Sequence, residues 1–165
     1  MKINLSKNKV TGLVLLRVLI GWHFLYEGIS KLYQPGWSAK GYLMSSEWIF
    51  SGFFKWLGSS EVLLPAVNAI NIGGLVLVGL FLILGVMERY ACWSGALLLA
   101  LYYLAHPPLP GLSGGPSEGS YVLVNKNLIE LAALLVLAQF TTGHLVGLER
   151  LVPTVVKKRT IVSNL

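Results

Sequence analysis

LLRVLIGWHFLYEGISKLY (residues 15–33) sets four ionisable side chains, Arg17, His23, Glu27 and Lys31, into a run that is otherwise almost wholly apolar. At about 100° per residue the four fall within roughly one third of a helix circumference, and Trp22 and Tyr26 lie outside that arc. One face is therefore ionisable and the others are apolar. That suits a helix whose charged face looks into protein while the remaining faces meet lipid or neighbouring helices. Glu27 and Lys31 are spaced i,i+4, the separation of a helical ion pair.

Outside this stretch the composition points the same way. Of 165 residues, 55% are hydrophobic and 12% charged, against about 25% charged in an ordinary soluble domain. Four windows approach or reach the roughly 20 apolar residues that cross a bilayer, at 10–32, 62–87, 90–106 and 122–148. The expected fold is all-α, an integral membrane four-helix bundle forming a single domain over 1–165. Lys2, Lys7 and Lys9 precede the first window in the order of a secretory signal, but Arg17 interrupts the run and no small-residue cleavage pattern follows, so it is expected to remain as a span.

The formal charge of +6 reads as topology rather than as a nucleic-acid surface. Lys2, Lys7, Lys9, Arg89, Arg150, Lys157, Lys158 and Arg159 fall on one side of the bundle, and Lys40, Lys55 and Lys126 on the other. The positive-inside rule then places both termini in the cytoplasm and the protein in the cell membrane. The first external loop, 34–61, carries Trp37, Trp48, Phe50, Phe53, Phe54 and Trp56, with apolar residues at 50, 53, 54 and 57. It predicts an amphipathic helix in the membrane interface, either an anchor or a lid over a lateral opening. The second loop, PPLPGLSGGPSEGS (107–120), is expected to be irregular. GHLVG (143–147) makes a GxxxG expected to serve packing within the bundle, with homo-oligomerisation as the other use of such a pattern.

Threading the charges through this topology collects polar atoms at one depth. His23, Glu27 and Lys31 lie in the outer half of the first span, Asn68 and Asn71 begin the second, His106 ends the third, and Lys126, Asn127 and Glu130 begin the fourth. Ionisable groups at membrane depth cost several kcal/mol unless paired or hydrated, and commonly mark a functional cavity. A closed salt-bridge cluster that only fixes geometry is the competing reading. Lys31 and Lys126 have the further option of snorkelling to headgroups, and Arg17 of snorkelling inward or pairing with Glu88. Cys92 is the single cysteine, which excludes an intramolecular disulfide relay and reads as a small buried hydrophobe.

Arg17, Gly21, Phe24, Gly28 and Lys31 form an R-x3-G-x2-F-x3-G-x2-K pattern that resembles the first helix of the DoxX/DoxD family of small four-helix membrane proteins. GLFLILGVMERYA (79–91) and GHLVGLERL (143–151) look similar to two further family segments, and the aromatic first loop looks more like the DoxD branch. That resemblance implies a membrane subunit of a thiosulfate:quinone oxidoreductase, a quinone cofactor and a DoxA-type redox partner. On this expectation Glu27, Lys31, Glu130 and His106 carry the proton and anion chemistry, while Arg17, His23, Asn68, Asn71, Lys126 and Asn127 hold the head group. Haem ligated by His23 and His106 is the sharper but weaker alternative, and no other metal site is expected. A transporter or assembly subunit without chemistry of its own is the competing class.

Overall fold

The computed structural model describes residues 6–151 except 113, 114, 116 and 118. Four long helices dominate it: α1 (Lys7–Tyr33), α4 (Leu63–Leu84), α5 (Glu88–Ala105) and α6 (Lys126–Gln139), with two short helices, α2 (Lys40–Met44) and α3 (Ser51–Ser59), between α1 and α4. Local chemistry explains where they stop. Gln34 ends α1 in an extended conformation because Pro35 follows it, and Pro107 and Pro108 close off α5 in the same manner. Gly85 ends α4 in the left-handed region at φ 64°, where a side chain would be strained. Asn125 caps α6, its side-chain oxygen accepting from Leu128 N at 3.1 Å.

The α1 and α4 helices run antiparallel, since Gly21 faces Gly79 and Ile83 while Gly28 faces Leu75 and Val76. Small residues let the two backbones touch. A Cβ at Gly79 would lie 2.5 Å from Leu25 N and 2.7 Å from Gly21 O. The α5 helix packs along α6 and joins the pair through α4, where Gly95 makes room for Leu134, Val78 and Phe24. The main core results, with Phe24, Leu82, Cys92, Leu134 and Leu137 fully or almost fully buried, and a second cluster of Ala39, Leu43, Phe54 and Ala105 lies under α2 and α3. Trp22 and Tyr26 point away from it, both 61% exposed. Lengths and compositions sufficient to cross a membrane belong to α1 and α4.

One expected window and the first loop change shape. The fourth does not run from 122 to 148. Residues 120–125 form a two-stranded antiparallel hairpin, β1 (Ser120–Tyr121) with β2 (Val124–Asn125), so the fold is not purely helical. The aromatic Tyr121 and β-branched Val124 suit the two strands, and Val122 occupies the turn between them at φ 53°. At the other end α6 stops at Gln139, and its 14 residues rise only about 21 Å, short of the roughly 30 Å hydrocarbon thickness. The GxxxG at 143–147 therefore lies in an irregular segment, not on a helix face. The first loop is likewise more than one interfacial helix. The expected helix exists as α3, with Phe54 inward and Phe53 and Trp56 outward, but α2 packs against it, Leu43 and Met44 lying over Gly58. Lys2, Lys157, Lys158 and Arg159, part of the charge pattern used to orient the chain, lie outside the described residues.

The α1–α4 seam makes a paired test. Gly79→Ala should lower the stability of the detergent-purified protein by about 1–3 kcal/mol, the usual cost of overpacking. Gly73, with no neighbour within 4 Å, should accept alanine with no loss, and the two thermal melts compared side by side decide it.

Candidate functional site

A cavity of about 330 Å³ opens at the Tyr33 end of α1. Its floor is apolar: Phe24 from α1, Leu75 from α4 and Leu99 from α5. Around that floor stand His23, Glu27 and Lys31 from one face of α1, Asn71 from α4, Tyr102 from α5, and Lys126 and Asn127 from the first turn of α6. Trp37, Ser38, Ala39 and Tyr42, from the segment after α1 and from α2, close one side.

The polar groups are paired across helices. His23 Nδ1 lies 2.8 Å from Glu130 Oε1 and 2.9 Å from Oε2, tying α1 to α6. Lys31 Nζ donates to Glu27 Oε2 at 3.0 Å and sits 5.7 Å from the Trp37 ring centre, in cation–π range. Asn71 Nδ2 is 2.7 Å from the Tyr102 hydroxyl, while Asn71 Oδ1 is buried without a partner among the described residues. Amide oxygen and nitrogen are assigned from such contacts. Either way round, one amide atom of Asn71 is left for a ligand.

The covering segment is pinned by Asn68, His106 and Ser46, which do not themselves line the cavity, and by Tyr42, which does. Asn68 Oδ1 accepts from Ala39 N at 2.9 Å, and its amide donates to Ser38 Oγ at 3.3 Å. His106 Nε2 lies 3.1 Å from Ser45 Oγ, and its ring is 4.3 Å from that of Tyr42. Ser46 Oγ donates to Ala105 O at 2.9 Å. Tyr42 OH donates to Tyr102 O at 3.0 Å, and burial raises the Tyr42 phenol far above its ordinary pKa, so it remains a donor.

The structure thus gathers His23, Glu27, Lys31, Asn71, Lys126 and Asn127 around one cavity, with Glu130 behind His23. It places Asn68 and His106 in the attachment of α2. His23 lines the cavity and His106 does not.

Arg17 belongs to a different place. Nearer the middle of α1 its guanidinium is 2% exposed, 3.3 Å from Glu88 Oε2, 2.9 Å from Thr142 Oγ1 and 2.7 Å from Val146 O. Glu88 Oε2 also accepts from Thr142 N at 2.7 Å and Gly143 N at 2.6 Å. This is the Glu88 pairing among the two options open to Arg17, and it removes Arg17 from the cavity wall. Gly143 and Gly147 pack against Gly85 O and leave no room for a side chain.

Sequence reasoning passed over Tyr42 and Tyr102. A signal for Tyr102 existed, because Leu99, Tyr102 and His106 recur at i, i+3 and i+7 toward the end of α5. Nothing comparable marks Tyr42, whose place depends on the fold of α2.

The described residues form a mostly helical protein with two helices long and apolar enough to cross a membrane, beside a polar, ion-paired cavity. The DoxX family model matches residues 12–107, from the second turn of α1 past the end of α5, and the chain belongs to the DoxX family, a membrane-associated family. That match takes in every cavity residue except Lys126 and Asn127. Comparison with curated proteins and with solved structures gave no match.

The two ion-paired regions should respond differently to loss of a cation. Arg17→Met leaves Glu88 buried and uncompensated, and should cost about 3–5 kcal/mol of stability in detergent. Lys31→Met breaks a partly exposed pair and should cost no more than about 1 kcal/mol. Thermal unfolding of the two purified variants measures the difference.

Proposed function

We propose that the chain is a four-helix integral membrane subunit of a quinone-linked oxidoreductase, with the cavity at the Tyr33 end of α1 as the quinone head-group site. The observation that carries this reading is the unpartnered amide atom of Asn71 in a cavity that also holds a His23–Glu130 pair over an apolar floor. The volume, about 330 Å³, is at the small end of ligand sites and suits a single-ring head. Phe24, Leu75 and Leu99 offer an apolar surface to the ring, while Asn71 and Lys31 offer polar contacts to its oxygens.

A bound quinone supplies a two-electron, two-proton acceptor. The chain supplies the rest. Glu130 and His23 share a proton at 2.8 Å, and His23, whose side chain is 37% exposed, connects that pair to the exterior. A positioned acid–base pair of this kind contributes about 10²–10⁴-fold in proton transfer. Glu27 anchors Lys31 so that its charge faces the cavity mouth. In this reading the mouth opens outside the cytoplasm, both termini lie in the cytoplasm of a cell-membrane protein, and a DoxA-type subunit delivers electrons from thiosulfate, the donor that the resemblance suggests.

The purified protein, extracted with organic solvent, should release a quinone in stoichiometric amount and show no Soret band. Asn71→Leu should lose that quinone while the helical circular dichroism stays unchanged. In membranes containing the complete complex, Glu130→Gln should retain quinone yet slow its reduction by about 100-fold. Preparations with no quinone and no affinity for added quinone would overturn the redox reading in favour of transport or assembly.

A further inference from the structure

A second cavity, about 200 Å³ and almost wholly apolar, adjoins the first. The two share four wall residues, Ala39, Tyr42, Asn71 and Tyr102. Beyond that shared wall the second cavity continues between the cap and the bundle, lined by Phe53 and Leu57 of α3, Val67 and Ile70 of α4, and Leu98 and Leu101 of α5. One chamber is polar and ion-paired, and its neighbour offers hydrocarbon. The partition between them is mainly the Tyr42–Tyr102 pair, whose rings meet edge to face at 6.0 Å, with Tyr42 hydrogen-bonded to backbone rather than to another side chain.

We propose that the second chamber takes the alkyl or prenyl chain of the same ligand whose head lies in the first, and that the chain passes beside Tyr42 under the α2–α3 cap. This deepens the quinone reading and rests on it: the ligand class becomes a tailed quinone whose chain is bound by protein instead of being left among bulk lipid. Charge supports the direction of entry, since the head chamber holds Glu27, Lys31 and Lys126, whereas the second chamber has no ionisable side chain other than the two tyrosine phenols on the shared wall. The cap residues pinned by Asn68 and His106 then have a purpose beyond attachment, because they roof the channel through which the chain runs.

Trp37 lines the head chamber, so quenching of tryptophan fluorescence by a tail-less benzoquinone and by the same ring bearing a decyl chain reports binding directly. The tailed probe should bind wild-type protein at least about tenfold more tightly, equivalent to burying roughly two methylene groups. Ile70→Trp and Leu101→Trp, which fill the second chamber from exposed positions on its wall, should abolish that tenfold gain and leave the affinity for the tail-less probe unchanged. Equal affinities of the two probes for the wild type would overturn the tail chamber while leaving the head-group reading intact. A chain-length gain that survives in both variants would also overturn it, as simple partition into detergent. Release of a co-purifying phospholipid by Ile70→Trp, without any chain-length effect, would assign the chamber to bilayer lipid instead. Failure of both probes to bind would remove the head-group reading and the inference together.

Discussion

The buried pair of Arg17 and Glu88 is the constraint from which the rest of the architecture follows. Two charges without water around them are costly unless every remaining donor and acceptor is occupied. Here the chain folds to meet most of that demand, with Arg17 Nε left without a partner among the described residues. Thr142, Gly143 and Val146 abandon helical geometry and turn their backbone and side-chain groups onto the pair. Irregular backbone away from water is tolerated where protein satisfies it, so ion pair and broken segment each make the other sustainable. Glu88 also stands in the first turn of α5, where the helix dipole favours its negative charge.

With that end closed, the opposite end is free to be polar and open. The glycine seam of Gly21, Gly28 and Gly79 holds α1 against α4 so closely that His23, Glu27 and Lys31 cannot turn into the interface and must face the space beside α6. The pairs found there differ in kind from the closed one. They are partly exposed, they link α1 to α6 or to itself, and they leave an amide atom of Asn71 unused. The first is buried throughout, whereas the second borders an open cavity.

Much of this was legible in the sequence because helical periodicity is a local property. The face carrying His23, Glu27 and Lys31, the apolar faces of Trp22 and Tyr26, and the clustering of Asn71, Lys126, Asn127 and Glu130 at the same end follow from spacing and chain direction. Arg17 shares the arc of His23 on a helical wheel, but a wheel ignores height along the axis, and height carries Arg17 away from the cavity. The α6 boundaries were hidden for a related reason. Hydropathy continues through Phe140 to Leu148, and the break there is imposed by a carboxylate on α5, far away in sequence. The roles of Asn68 and His106 in holding α2, and of Tyr42 in the cavity wall, depend on tertiary folding of a short aromatic segment that periodicity places only coarsely.

The shortness of α6 bears on how the protein is made. A segment that rises about 21 Å depends on its neighbours, and its buried residues Leu134, Leu137 and Ala138 lie in the core shared with α1, α4 and α5. The chain that follows it folds onto Arg17 and Glu88, which α1 and α5 bring to one point. Synthesis is vectorial, so both charges are made before the groups at 142–146 that surround them. A chain cut short after α5 therefore holds the acid without the backbone amides that satisfy it.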